Sequence, residues 1–428
     1  MNRPTVSVIV LNWNGRSYLP ECLASLQRQG YDCDVIVVDN GSTDGSASLV
    51  KEKFPNVRLI ESKTNLGFSA GNNLAARQVE TDLIAFLNND TRTDPTWLEE
   101  LVAAVVEAPD IACAGGKILN WDGSRIDFSG GGATLTGFGL QFGYGEPVGA
   151  DAEARDMLFA CGGSMIVRRE PYLKVGGLDD DYFLFYEDVD LGWRFWLAGY
   201  RVRYTPRSVV FHRHHGSSRR WDDDRLAVLY ERNALYTIYK NYDDQHLAVA
   251  LPAALLLAAE RATVLAGIDP GRFSMARSRS ADPGPASAPP NIASSGARWD
   301  KLQRSLRERG VPGTARRLAR AARRRIGPSM LRARARLGRR IAGSASSIPV
   351  PAATVSRLIA LHEFGENLVA LRAKREAVQR LRRRDDVEII SMFKAPLDPG
   401  FAGPGFDDYN RRLLAALKMD NWVRGISE

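Results

Sequence analysis

The N-terminal quarter of the chain alternates short apolar runs with segments of helical periodicity, which limits the folds open to it. Apolar residues recur at helical spacing from Tyr18 to Leu26, after the first run. Strands that alternate with helices of about ten residues predict an α/β fold with a doubly wound, mostly parallel sheet flanked by helices. The apolar runs are Val6 to Leu11, Val35 to Val38, Val57 to Ile60 and Leu83 to Leu87.

Each apolar run ends in polar, turn-forming side chains. These are Asn12 and Asn14, Asp39 and Asn40, Asn65, and the stretch from Asn88 to Asp90. Because the carboxyl ends of parallel strands lie along one edge of a sheet, these side chains are expected to meet in one crevice. A carboxylate there could hold a divalent cation beside a diphosphate. Asn and Asp also end strands because they favour turns, so Leu83 to Asp90 alone fits both interpretations.

Several classes of protein are excluded by motifs that the sequence lacks. No G-x-x-x-x-G-K-[ST] loop is present and no G-x-G-x-x-G follows a predicted strand, which argues against a P-loop kinase or a dinucleotide oxidoreductase. The four cysteines have no paired spacing, which argues against a zinc motif or disulfides and suits a reducing cytosol. The N-terminal apolar run is too short for a signal peptide. The longest apolar run, Leu247 to Ala259, is shorter than the ~20 residues that span a bilayer, so no transmembrane helix is predicted.

A second acidic cluster begins at Glu187 and Asp188 and continues to Asp190. If a helix starts near Glu187, acids in its first turn stabilise the helix dipole, and Arg194 is an intrahelical partner. The functional alternative is that one carboxylate faces the crevice as a general base.

Three histidines, His212, His214 and His215, follow the apolar run that ends at Phe211. Imidazole is a ligand for Mn²⁺, Zn²⁺ or Fe²⁺ and could complete a coordination that begins at Asp90. A solvated loop is the alternative. Upstream, the Gly-rich span from Ser129 to Gly145 predicts a long flexible loop.

Positive charge is concentrated in the C-terminal third. Residues 299–344 contain fifteen Lys or Arg and two acidic residues, a net +13, whereas the whole chain has +8. This basic amphipathic stretch suits an anionic membrane surface. Nucleic-acid binding is the rival interpretation, but few aromatic residues are interleaved, so no nucleic-acid partner is expected. A solvated helical face is the remaining alternative. The predicted organisation is a catalytic domain at 1–245, an apolar helix at 246–270, a linker rich in Pro, Ser, Gly and Ala at 271–298 and a basic, mainly helical region at 299–428.

An ordered set of motifs along residues 4–240 resembles the inverting family 2 glycosyltransferases, and most of all their rhamnosyltransferase-like branch. The resemblance implies a GT-A fold, which is a Rossmann-like mixed sheet flanked by helices. The motifs are VSVIVLNWNG, VVDNGSTDGS, NLGFSAGNN, LNND, FACGGSMIVRR, GGLDDDYFLFYEDVDLGWR and VFHRHHGSS.

The resemblance also implies roles for individual residues. Asp188 is the expected base, in an acidic pair with Glu187. Asp90 and His212 are the expected ligands of a divalent cation, Mg²⁺ or Mn²⁺, although Asn88 stands where the family usually has the first Asp of its D-x-D motif. The implied nucleotide-sugar site consists of Leu11, Asn12, Trp13, Asn14, Asp39, Asn40, Asn65, Gly67, Asn72, Asn88 and Asn89. The implied acceptor or sugar pocket consists of Cys161, Gly162, Gly163, Trp193 and Arg194.

The function implied is sugar transfer from a nucleotide-diphosphate donor to a glycan or lipid-linked acceptor during synthesis of cell-surface polysaccharide. On family likeness dTDP-rhamnose is the donor to test first. The expected location is the cytoplasmic face of the cell membrane, reached through residues 299–345. An inactive nucleotide-sugar-binding subunit is the alternative, which the retained acidic pair and His212 argue against. A sugar nucleotidyltransferase would require a basic Gly-rich loop near Asn12, which the sequence lacks.

Overall fold

The computed structural model describes residues 3–149, 151–213, 222–267 and 350–423, and a ten-stranded mixed sheet forms its centre. The strands in chain order are β1 Val6–Asn12, β2 Asp34–Asn40, β3 Arg58–Ser62, β4 Leu83–Asn88, β5 Thr91–Thr93, β6 Ile111–Asn120, β7 Ile126–Phe128, β8 Gly131–Ala133, β9 Gly139–Gln141, β10 Arg155–Asp156, β11 Ser164–Arg168 and β12 Arg201–His212. The main path across the sheet is β10-β12-β6-β11-β4-β1-β2-β3, with β5 paired to β12 and β7 paired to β6.

Strands β4, β1, β2 and β3 run parallel, so their carboxyl ends share one edge of the sheet. Val8, Ile9 and Val10 of β1 are fully buried, as expected for a strand covered on both faces. Strand β11 runs antiparallel between β4 and β6, which brings its amino end to the same edge. There the Asn88 N–H donates to the Gly163 carbonyl at 2.9 Å. The predicted mixed, mostly parallel sheet flanked by helices is confirmed.

Helices cover the sheet and continue into the C-terminal region, as predicted. They are α1 Leu19–Leu26, α2 Ser46–Lys53, α3 Gly67–Ala76, α4 Trp97–Val106, α5 Arg169–Lys174, α6 Glu187–Leu197, α7 Asp223–Asn241, α8 Asp244–Ala266, α9 Ala352–Glu366, α10 Leu368–Arg380, α11 Asp386–Ile390 and α12 Phe406–Ala416. Short 3₁₀ turns occur at Asp180–Tyr182 and Met419–Val423.

The prediction of a flexible loop in the Gly-rich span is wrong. Its centre forms the hairpin β8–β9, and residues 128–138 are all buried. A Cβ on Gly131 would lie 2.4 Å from the Phe159 ring, and one on Gly132 would lie 2.3 Å from the Phe393 carbonyl oxygen. Glycine is required here because neighbouring groups approach the backbone closely, and composition alone does not distinguish this from flexibility.

The helices from residue 352 onward belong to the same compact unit as residues 1–265, although the predicted organisation placed them in one region with the basic segment. A buried ion network joins the two parts of this unit. Lys240 of α7 lies 2.5 Å from Asp179 and 2.9 Å from Asp190, and Lys374 of α10 also pairs with Asp179. The predicted linker at 271–298 and the basic segment 299–345 lie outside the described residues.

Helix α8 is, among the described residues, the one helix long and apolar enough to cross a membrane, with a mean hydropathy of 1.6 over its most apolar window. The sequence predicted no membrane span here because Glu260 and Arg261 end the apolar run. The helix also packs inward, since its Arg261 is buried and donates to Glu231 of α7 at 3.0 Å. Length and composition alone therefore do not assign it to a membrane.

Candidate active site

Asn12, at the end of β1, links the polar ends of three adjacent strands. Its amide donates to Asp39 Oδ1 at 3.0 Å, near the end of β2, and its Oδ1 accepts from Asn89 at 2.7 Å, just after β4. All three side chains are buried. The structure thus brings together residues that the sequence placed at separate strand ends, because the parallel register aligns Asn12 with Asp39 and Leu11 with Asn88.

Asp39 is held from both sides at the position implied for recognition of the nucleotide base. Its second oxygen accepts from the Ser42 N–H at 3.1 Å, and the Ser42 hydroxyl accepts from the Asn14 N–H at 2.8 Å. Each carboxylate oxygen keeps a second lone pair that a base N–H could use. Trp13, between Asn12 and Asn14 in the chain, is half-buried.

The start of helix α3 is fixed by side-chain amides. Asn40 donates to Asn65 Oδ1 and to the Gly67 carbonyl, both at 3.0 Å, and Asn65 Oδ1 also accepts from the Gly67 N–H at 2.9 Å. Asn72 is buried and donates to the Phe68 carbonyl within its own helix at 3.0 Å. Leu11 packs against Gly71, where a Cβ would lie 2.5 Å away.

His212, the last residue of β12, lies between two carboxylates. Its Nε2 is 3.5 Å from Asp90 Oδ1 and its Nδ1 is 3.4 Å from Asp127 Oδ2. Burial lowers the pKa of His212, but the hydrogen bonds and charges of Asp127 and Asp90 outweigh burial and raise that pKa to about 9. His214 and His215 lie outside the described residues.

Asp90 and His212 have the chemistry of a site for a divalent cation. Carboxylate oxygen and imidazole nitrogen suit Mn²⁺, and a carboxylate at the other ring nitrogen is the usual support of a histidine ligand. Asp127 occupies that supporting position. Sequence reasoning missed Asp127, whose only signal was a single acid between two apolar residues of a short strand.

Asp188 is the second residue of α6, and backbone N–H groups hold its carboxylate. Its Oδ2 accepts from Gly162 at 3.0 Å and its Oδ1 from Val189 at 2.9 Å. Burial raises the pKa of Asp188, and these two N–H groups oppose the rise. Burial also raises the pKa of Glu187 well above its ordinary value, with the Asp188 charge adding to the effect. Glu187 is therefore the more strongly protonated member of the pair.

A small cavity of about 70 Å³ lies beside His212. Its lining includes Asn88, Asp127, Cys161, Gly163 and His212. Burial, followed by the charge of the neighbouring carboxylate Asp188, raises the pKa of the Cys161 thiol to about 12, so this thiol is neutral near pH 7. A larger groove of about 860 Å³ lies at the opposite edge of the sheet, where the strands begin, and has none of these groups.

Trp193 and Arg194 do not belong to the crevice, so their predicted place in an acceptor or sugar pocket is corrected. At 3.6 residues per turn they fall roughly 120–140° around α6 from Asp188. Trp193 is fully buried, and its ring centroid lies 4.9 Å from those of Tyr242 and Phe393. Arg194 is buried and its Nε donates to Asp190 Oδ2 at 2.9 Å, which is the intrahelical pairing expected if the acidic cluster stabilises the helix.

A separate group of possible metal ligands lies near the start of α8. Ligand atoms of Asp243, His246 and Asp386 all lie within 4.8 Å of one another. Asp386 already accepts from the Asp243 N–H at 2.7 Å and from the Arg382 guanidinium at 2.8 Å. A cation would have to compete with that guanidinium, so we assign the group a structural role between α8 and α11.

The chain is similar to several known proteins. Residues 7–176 match the family model of Glycosyl transferase family 2. The chain is 26% identical over 253 residues to the N-acetylglucosaminyl-diphospho-decaprenol L-rhamnosyltransferase of Mycobacterium tuberculosis, covering 54% of this chain and 82% of that protein. It is 32% identical over 231 residues to the O-antigen biosynthesis protein RfbC of Myxococcus xanthus, covering 51% of this chain but only 18% of that protein.

Among solved structures, GalNAc-T7 with UDP, GalNAc and Mn²⁺ aligns with a TM-score of 0.47 at 17% identity, over 59% of this chain and 51% of that chain. The family assignment rests on the sequence match and not on this superposition. Residues 7–176 therefore form a domain that matches glycosyltransferase family 2.

Proposed function

We propose that this glycosyltransferase moves a sugar from a nucleotide-diphosphate donor to a hydroxyl of a glycan or lipid-linked acceptor, with inversion at the anomeric carbon. The observation that carries the proposal is the presence of Asp188, Asp39 and Asp90 at one edge of the sheet, each held by neighbouring groups. A rhamnosyl donor is favoured because the M. tuberculosis relative, whose name specifies L-rhamnosyl transfer to a lipid-linked acceptor, aligns over most of its length.

The donor would lie along the strand ends. Asp39 and the backbone from Leu11 to Trp13 would contact the nucleoside, and Asn88 and Asn89 would lie near the sugar diphosphate. A divalent cation held by Asp90 and His212 would stabilise the negative charge of the departing diphosphate. Asp188 would remove the proton of the acceptor hydroxyl, whose oxygen forms the new glycosidic bond as the bond to the diphosphate breaks. A single displacement from the opposite face inverts the anomeric carbon.

The donor is tested by a panel of nucleotide sugars with Mg²⁺ or Mn²⁺, read first by thermal shift and then by product analysis. We expect dTDP-rhamnose to raise the melting temperature most. The product should have the anomeric configuration opposite to that of the donor. A ligand that binds the native state and not the unfolded state raises the melting temperature of the protein. The proposed stereochemistry is rejected if NMR of the product shows the donor's own anomeric configuration.

We also propose that residues 299–345 bind an anionic membrane, where a lipid-linked acceptor would be found. The support is the local net charge of the basic segment, since each Lys or Arg near an anionic surface contributes about 1 kcal/mol. The full chain is expected to sediment with vesicles that contain an anionic phospholipid and to remain in solution with neutral vesicles. Reversing the charges of Arg323, Arg324 and Arg325 should reduce sedimentation. Equal binding to both kinds of vesicle would contradict the proposal.

A further inference from the structure

The chain immediately before the acidic pair has an unusual backbone. Phe183, Phe185 and Tyr186 have φ angles of 61°, 69° and 67°, so three of the four residues before Glu187 are in the left-handed region. Bulky residues rarely adopt this conformation, because Cβ approaches the backbone carbonyl too closely. Such a segment persists only where surrounding contacts hold it, so the contacts of Phe183–Tyr186 determine where α6 begins.

One buried side chain, Asn233 of α7, makes contacts along this segment. Its amide nitrogen lies 3.1 Å from the Tyr182 carbonyl, 2.9 Å from the Leu184 carbonyl and 2.8 Å from the Phe185 carbonyl. Asn233 is fully buried, so water does not compete for these bonds. Its two N–H groups are thus shared among three carbonyl oxygens of the turn that leads to Asp188.

The orientation of the Asn233 amide is itself fixed. The Arg232 guanidinium donates to Asn233 Oδ1 through both Nε and Nη2, each at 3.0 Å. A guanidinium only donates, so the amide oxygen must face Arg232 and the amide nitrogen must face the carbonyls. Glu363 of α9 holds Arg232 in turn, at 2.8 Å from its Nη1.

The same segment touches the start of α3 on its other side. The Phe68 N–H donates to the Phe183 carbonyl at 2.5 Å. Gly67 has a φ of 84°, and a Cβ there would lie 2.5 Å from the Phe183 ring. The segment therefore lies between the proposed donor pocket and Asp188, and Asn233 bonds to carbonyls on both sides of the one that Phe68 uses.

We propose that Asn233 is a positioning residue that holds the left-handed segment 183–186 and thereby places the Asp188 carboxylate for proton removal. This inference rests on the proposed role of Asp188. Asn233 lies on α7, whereas Asp188 lies on α6, so Asn233 acts through the backbone of the segment. The alternative is a purely structural role, in which Asn233 only stabilises the fold. This alternative predicts a lower melting temperature without a specific effect on turnover.

The test compares Asn233→Asp, which keeps the shape but loses the amide donors, with Asn410→Asp. Asn410 is a matched control, since it is also buried and donates to a backbone carbonyl, that of Leu397 at 3.1 Å. Misplacing a reacting group by about 1 Å costs about 10²-fold in rate, so we expect a loss of that order in kcat for Asn233→Asp. The KM and dissociation constant of the donor should stay at the wild-type values, because the Phe68–Phe183 contact remains.

Hydrogen exchange without substrate gives a second readout. The Leu184 N–H bonds to the Tyr182 carbonyl at 2.7 Å, and the Asp190 N–H bonds to the Tyr186 carbonyl at 2.9 Å. Both amides should exchange faster in Asn233→Asp and at the wild-type rate in Asn410→Asp. If Asn233→Asp does not fold, Arg232→Gln replaces it in the comparison with Asn410→Asp, and a smaller loss in kcat is expected.

Unchanged exchange at these amides, or a kcat of Asn233→Asp equal to that of Asn410→Asp, would overturn the proposal. A loss confined to the melting temperature would do the same, because it is the result of a purely structural role. Retained transfer by Asp188→Asn would instead overturn the identity of the base, and the exchange measurement on Asn233 does not depend on that result.

Discussion

Asp188→Asn is expected to lower the kcat of sugar transfer by about 10²- to 10⁴-fold, the usual contribution of a general base. An amide cannot take the proton of the acceptor hydroxyl, whereas its oxygen can still accept from the Gly162 N–H that now holds the carboxylate at 3.0 Å. Binding of the nucleotide sugar should survive, since the strand-end groups proposed to bind it are unchanged. The rate of transfer is measured in single turnovers, and the affinity for the donor is measured by titration.

The companion variant Glu187→Gln distinguishes the role of Glu187 from that of Asp188. Burial raises the pKa of Glu187 well above its ordinary value, so this side chain keeps its proton to higher pH than an ordinary glutamate does and is the weaker candidate for the base. Its substitution should therefore reduce kcat less than Asp188→Asn does. Glu170→Gln, at an exposed position on α5, is the control for removal of a carboxylate as such. Full transfer by Asp188→Asn would refute the assignment.

The pH dependence has a defined sign. A base works when ionised, so kcat should rise with pH through the pKa of Asp188. Burial raises that pKa, so the acidic limb should lie at higher pH than for an ordinary aspartate, whose pKa is about 3.9. The residual activity of Asp188→Asn should lack this limb.

Asp90→Ala is expected to remove the metal-dependent part of nucleotide binding. Outer-shell partners alone are worth about 10- to 100-fold in metal affinity, and loss of a direct ligand should cost at least as much. Donor affinity is measured by calorimetry with Mn²⁺ and with EDTA. The wild type should bind the donor more tightly with Mn²⁺, whereas Asp90→Ala should bind it equally weakly in both buffers.

Asp122→Ala is the matched control, because Asp122 is an exposed carboxylate on the turn before β7. It should keep the full difference between Mn²⁺ and EDTA. If Asp90→Ala also keeps that difference, Asp90 is not a ligand, and the proposed role of His212 loses its support. Asp90 is the only carboxylate of the L-N-N-D stretch, so no neighbour within that motif can replace it.

The sequence by itself determined the sheet and the edge at which its polar residues meet. Apolar runs such as Val6 to Leu11 are long enough for buried strands, and the helices between them impose parallel pairing. Parallel pairing places every strand's carboxyl end at one edge, so Asn12, Asp39 and Asn89 had to come close together. Local periodicity and topology suffice for this conclusion, and the hydrogen bonds of Asn12 agree with it.

Only the tertiary structure decided which side chains reach the crevice and what holds them there. Trp193 and Arg194 are close to Asp188 in sequence but point elsewhere, because the rotation of α6 and the packing of Tyr242 and Phe393 set their direction. Asp127 and Asn233 contact His212 and the turn before Asp188 across separations of 85 and about 50 residues, for which no local pattern exists. The close packing of Gly131 and Gly132 likewise depends on Phe159 and Phe393, which are distant in sequence. Contacts of this kind are set by how the elements pack, and residue type alone does not encode them.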